Sequence, residues 1–127
     1  MASFMKPYAG ELYAVLRILT GLLFFVHGTS KILGFPVPPP EGTPAFIVWV
    51  AGGIELVGGA FIAAGLLTRW SAFVSAGLMA AAYWMAHGLK AFFPMQNGGE
   101  LAVLYCFVFL YIAAQGPGKW SVDATRA

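Results

Sequence analysis

The chain is poor in the residues that usually carry chemistry. Of its 127 residues one is cysteine and two are histidine, and only 9% are charged, against roughly 25% in an ordinary soluble domain. A lone thiol, Cys106, excludes an intramolecular disulfide and a dithiol redox pair, and reads as a small buried hydrophobe. Two histidines at no fixed local spacing make no metal-ligand signature, so no metal is expected. The net charge of +2 is scattered, with no basic run that could track phosphates, which argues against nucleic acid as a partner. No flavin, haem or iron-sulfur motif occurs, so the polypeptide carries no intrinsic redox cofactor of a recognisable kind.

What the chain does have is apolar surface: 60% of it is hydrophobic. Four stretches near the roughly 20 residues needed to cross a bilayer lie at about 10–33, 45–67, 70–89 and 98–115. The expected fold is therefore an all-α membrane protein, a single domain over 1–127 built as a four-transmembrane-helix bundle. Arg17 interrupts the first stretch, which also runs on too far for a cleaved signal peptide. An even number of spans puts both termini on one side. Lys6, Arg69, Lys119 and Arg126 fall on that side, against Lys31 and Lys90 on the other, which favours cytoplasmic termini. Trp70 and Trp120 fit a cytoplasmic aromatic belt, and Trp49, Phe92 and Phe93 the opposite one. The segment from Gly34 to Pro44 is too rich in proline to continue a helix and forms a stiff spacer or lid over the bundle.

Function is to be sought where ionisable groups enter these spans. Hydrocarbon costs about 2.5 to 3.5 kcal/mol for an Arg, Lys or Asp at its centre, so such residues persist when paired, facing a polar interior, or near an interface. At about 1.5 Å per residue the depths of Arg17 and Glu55 in the membrane differ by only a few ångströms, which predicts a mid-membrane ion pair between them. That pair reads either as a register-fixing contact or as part of a functional site. His27, Lys31, His87, Lys90 and Glu100 all come near the outer ends of their spans and form a candidate ligand-binding vestibule. It would take a quinone-like or small anionic head group, or relay protons; the alternative is that the lysines snorkel and Glu100 favours a helix N-terminus. Tyr83, Trp84, Tyr105, Phe107, Phe109 and Tyr111 either line a flat ligand or serve as packing. Gly59 and Ala63, with Ala72, Ala76 and Ala80, recur at four-residue intervals and mark close helix contacts, internal or between copies.

The first and third spans end alike, in His27-Gly28-Thr-Ser-Lys31 and His87-Gly88-Leu-Lys90. Each is followed by a proline-containing loop and then by Gly52-Gly53-Ile-Glu55 or Gly98-Gly99-Glu100, the trace of two parallel hairpin repeats.

The succession Arg17-x9-His27-Gly28-x2-Lys31, Gly52-Gly53-x-Glu55-x2-Gly58-Gly59, Gly65-x2-Thr68-Arg69, and Gly99-Glu100-x4-Tyr105 followed by Gly116-Pro-Gly-Lys-Trp-Ser121 resembles the DoxX family of small four-span membrane proteins, over nearly the whole chain. The resemblance implies a four-helix bundle in the bacterial inner membrane. It also implies a subunit of a quinone-linked redox or oxidative and thiol-stress defence system, with a quinone as candidate ligand and a soluble redox or sulfur-transfer protein as candidate partner. The family is functionally mixed, so catalysis by the chain itself stays open. A membrane scaffold using the tail from Gly118 to Ala127, or a small oligomeric permease, are the competing expectations.

Overall fold

Glycine decides how the first two helices meet. A computed structural model describes residues 3–126, and among these residues the regular structure is helical throughout, with no strand. A 3₁₀ turn, Lys6–Tyr8, leads into α1, Ala9–Leu33, with Glu11 in its first turn and Lys31 in its last, the order the helix dipole favours. Gly34 ends α1 in the left-handed conformation (φ +69°) and donates its N–H to the Ser30 carbonyl. The chain re-enters helix through a π-helical turn, Ile47–Ala51, and continues as α2, Gly52–Ala64. α3, Thr68–Ala82, runs into a second π turn, Tyr83–His87; a single turn, α4 (Pro94–Asn97), precedes α5, Glu100–Gln115, and a short α6, Val122–Arg126, closes the chain.

The run Lys6–Leu33 and the run Ile47–Ala64 are long and apolar enough to cross a membrane. The second stops short of residue 67 because Gly65 and Leu67 both adopt positive φ. α5 begins at Glu100, after a left-handed Gly98, and its 16 residues span about 24 Å, less than a bilayer core of about 30 Å.

α1 and α2 pack antiparallel with their backbones in contact. A Cβ added to Gly21 would lie 2.5 Å from the Ala63 nitrogen, one on Gly28 2.5 Å from the Leu56 nitrogen, and one on Gly59 2.5 Å from the Phe25 nitrogen. No side chain fits there, so the seam admits one register. α3 packs against α5, burying Ala72, Ala76 and Met79 with Phe109 and Ile112, and α2 adds Ile62. Phe24 joins α1 to this core, with its ring centroid 4.7 Å from that of Phe109. Gly59, Ala72 and Ala76 thus serve contacts within the chain. The outward face of α1 presents Leu12, Leu16, Leu19 and Leu23, an apolar surface too large for a soluble monomer.

At the end of the bundle that holds both termini, the tail supplies helix caps in trans. Asp123 accepts from the backbone N–H groups of Leu67 (3.0 Å) and Thr68 (2.9 Å) and from the Thr68 hydroxyl (2.8 Å), at the positive N-terminus of α3. Arg69 returns the favour in kind, donating to the carbonyls of Ala113 and Ala114 in the last turn of α5. The Thr68 N–H, aided by its hydroxyl and by Leu67, holds the Asp123 carboxyl below the usual carboxylate range.

Two outcomes follow from these contacts. Gly59→Leu should lower thermal stability in detergent by about 2 kcal/mol or more, because the seam cannot open without losing register, whereas Gly53→Leu, whose Cβ would meet nothing within 4 Å, should leave it unchanged. Asp123→Ala should cost about 1 kcal/mol at neutral pH. Because the folded-state pKa is depressed, that contribution is present above the unfolded value of about 3.9 and is lost as pH falls through the folded pKa, so melting curves of parent and variant should converge below about pH 4.

Candidate functional site

The glycine seam sets which charges can meet. Gly28 packs on Gly52 and Leu56, so Glu55 lies level with the last turns of α1, and there it finds Lys31. The ammonium is 2.8 Å from Oε1, at a poor angle, and 3.1 Å from Oε2, to which it donates a hydrogen bond. Glu55 is 3% exposed and Lys31 shields its outer side.

The Arg17 to Glu55 pair expected from span depths is not formed. Arg17 is fully buried two turns further along, where Nε donates to the Ile62 carbonyl at 3.0 Å; Glu55 precedes Ile62 by seven residues, about 10 Å of helix. The remaining guanidinium donors reach the carbonyls of Pro117, Lys119 (2.9 Å) and Trp120 (2.7 Å). Depth counting omitted the tail, which folds back over the end of the helices and offers carbonyl dipoles in place of a carboxylate. Tyr13 adds a 2.6 Å bond to the Gly116 carbonyl, and Lys119 pairs with Glu11. The tail proposed as a partner surface is therefore largely committed to the bundle as far as Asp123.

The five residues of the expected vestibule do not converge on one point. His27 is exposed on α1 and stands edge-on to Tyr105, with ring centroids 5.9 Å apart. Both line a cavity of about 320 Å³ with Leu23, Val26, Ser30, Pro36, Val37 and Leu101. Part of its wall is the connection after α1, held down by the Ser30 hydroxyl, which donates to the Val37 carbonyl, and by Thr29, whose hydroxyl lies 2.7 Å from the Phe35 carbonyl. Lys31 turns away from His27 toward Glu55. His87 lies against the loop before α5, its Nδ1 3.1 Å from the Asn97 carbonyl. Lys90 is exposed, and Glu100 faces a separate groove with Phe93, Met95 and Leu104. Neither forms an ion pair among the described residues. Cys106 lines an outward, aromatic-walled hollow with Tyr83, Trp84 and Phe107. The groove between α2 and α3, about 420 Å³, has no ionisable lining.

Sequence reasoning passed over Ser30, Thr29, Asn97 and Asp123. Asn97 is buried and holds the second connection together, donating to the Tyr83 hydroxyl and the Ala91 carbonyl and accepting from the Gly99 N–H. An Asn just ahead of a Gly-Gly helix start is a local signal for such a role. Asp123 gives none, since its partners lie more than fifty residues away.

Helices alone among the described residues, an apolar outer face and two helical runs long and apolar enough to cross a membrane mark a helical membrane protein. The DoxX family profile matches residues 12–88, and the chain belongs to that family. It is 40% identical to an uncharacterized protein of Haemophilus influenzae over 94% of this chain and 93% of that protein. It is 33% identical to a Bacillus subtilis protein named "Putative oxidoreductase CatD", over 86% of this chain and 82% of that one. It is 31% identical to the Escherichia coli inner membrane protein YqjF, over 86% and 87%. No solved structure matches the chain.

Removing one member of the buried pair should be worse than removing both. Lys31→Met should destabilise by about 3 kcal/mol through the uncompensated Glu55 carboxylate, while Lys31→Met with Glu55→Leu should recover most of that loss in a detergent unfolding assay.

Proposed function

We propose that the chain is a membrane subunit of a quinone-linked redox or stress-defence system, and that it holds an aromatic head group in the cavity between α1, the 34–44 connection and α5. The observation that carries this reading is the juxtaposition of His27, Ser30 and Tyr105 on the wall of an otherwise apolar cavity that opens on the lipid-facing side of α1. A flat ring with oxygen substituents needs apolar walls for its faces and a few placed polar groups for its edges. Charge favours a neutral head group over a small anion. Lys31, one residue after the lining Ser30, is already neutralised by Glu55, and no Lys or Arg side chain lines the cavity. The relative named as an oxidoreductase lends the reading its redox direction.

The same reading places the chain in the bacterial inner membrane as a four-span bundle with cytoplasmic termini. The inner membrane protein among its relatives supports the location, and the clustering of Lys6, Arg69, Lys119 and Arg126 at the end with both termini supports the orientation. The helical run from Thr68 to His87 and α5 serve as the third and fourth spans, with α5 requiring local thinning of the bilayer. A redox cofactor and electron donor come from a partner on this reading.

The test is binding. Purified chain in lipid nanodiscs should take up a short-chain benzoquinone with one site per chain, and His27→Ala should weaken that uptake about tenfold while leaving the melting temperature unchanged. Uptake equal in parent and variant would remove the cavity from consideration.

A further inference from the structure

The end of the bundle that holds both termini carries more positive charge than it neutralises. Among the described residues its side chains include five cations, Lys6, Arg17, Arg69, Lys119 and Arg126, against two carboxylates, Glu11 and Asp123. Glu11 is paired with Lys119, and Asp123 is committed to the N–H groups of Leu67 and Thr68. Arg17 is buried among carbonyls. Arg69 is exposed and forms no ion pair among the described residues. Only part of its guanidinium is occupied. Nη1 donates to the carbonyls of Ala113 (3.1 Å) and Ala114 (2.6 Å), while Nε and Nη2, which form a second edge of the fork, meet no acceptor among the described residues. No side chain covers that edge from Gly116, where a Cβ would lie 2.7 Å from Nη2 and 3.4 Å from Nε.

Arg69 also lines a hollow of about 400 Å³ between α3 and α5, whose other walls are Trp70, Phe73 and Ala113. Trp70 and Phe73 are 73% and 57% exposed, so the hollow opens on the outer surface of the bundle. The order of its walls along α3 is informative. Arg69 and Trp70 stand in the first turn, and Phe73 lies one turn, about 6 Å, further into the span. A charge at the helix end with apolar walls inward of it matches the order of phosphate and acyl chain in a lipid monolayer, and an indole ring suits the boundary between them.

We infer that this hollow binds an anionic phospholipid, with the Nε and Nη2 edge of Arg69 on the phosphate and an acyl chain against Trp70, Phe73 and Ala113. A guanidinium edge presents two parallel N–H groups to a phosphate, and its planar geometry suits that pairing better than an ammonium does. The uncompensated charge favours an anionic lipid over a zwitterionic one, whose own ammonium already neutralises its phosphate. An acidic soluble protein would satisfy the charge and leave the apolar walls uncovered. The site lies at the opposite end from the head-group cavity and does not depend on it.

The experiment is native mass spectrometry of the full chain in detergent, titrated with phosphatidylglycerol or phosphatidylcholine bearing identical acyl chains. The parent should bind one phosphatidylglycerol about fivefold more tightly than phosphatidylcholine. Arg69→Gln should abolish that preference. Phe73→Ala, which keeps the guanidinium and its bonds to α5, should weaken both lipids and retain the preference. Lys6→Gln, a cation at the same end outside the hollow, should change neither. Equal binding of the two lipids by the parent, a preference that survives Arg69→Gln, or phosphatidylglycerol bound as tightly by Phe73→Ala as by the parent would overturn the inference. A preference lost as fully in Lys6→Gln would mean diffuse charge rather than a site, and displacement of the lipid by soluble glycerol phosphate would assign the hollow to free phosphate esters; either would overturn it as well.

Discussion

The backbone contact between α1 and α2 is the constraint on which the other features of this bundle depend. Gly21, Gly28, Gly52 and Gly59 bring two main chains so close that a single added Cβ at Gly21, Gly28 or Gly59 would strike backbone atoms of the partner helix. In a lipid environment the hydrophobic effect does not drive helices together, and close van der Waals contact through small residues takes its place. Such a seam is also a ruler. Once Gly28 sits on Gly52 and Leu56, Glu55 faces Lys31 and Arg17 falls beside Ile62, and neither charge has another choice.

The two buried charges are accommodated by different physics. Glu55 is neutralised by an ammonium that reaches in from the exposed side, so the pair adds no net charge to the apolar interior. Among the described residues Arg17 has no carboxylate within pairing distance, and it is held by four backbone carbonyls, three of them from the tail. Its planar fork of five donors suits that task, which a lysine could not perform with the same geometry. The first arrangement leaves one carboxylate oxygen without a hydrogen bond, while the second engages every guanidinium nitrogen.

Opposite ends of the bundle are built differently for the same reason. The end with both termini is closed by Asp123, Arg69 and Tyr13, tied to backbone groups at helix ends, and by Arg17, tied to carbonyls of the tail. The other end carries both π-helical turns, the proline-rich connection and the start of α5, and it is there that the cavity opens. Widened helical turns are frequent at functional sites because they re-aim side chains without ending the helix.

Sequence alone determined the helical class, the four apolar stretches, the close-contact role of Gly59 and the presence of Arg17 and Glu55 as charges needing partners, because periodicity and the cost of burying charge act locally. It also singled out His27 and Lys31 on one helix. The partners were decided only in three dimensions. Arg17 met carbonyls a hundred residues away, Glu55 met Lys31, and His27, His87 and Glu100 went to separate surroundings. Depth along a span is readable from residue counts, but the register between spans is set by steric contact at glycines, and the path of the tail by backbone hydrogen bonds. Spacing marks which glycines allow close contact, but not which residue of the partner helix each one meets.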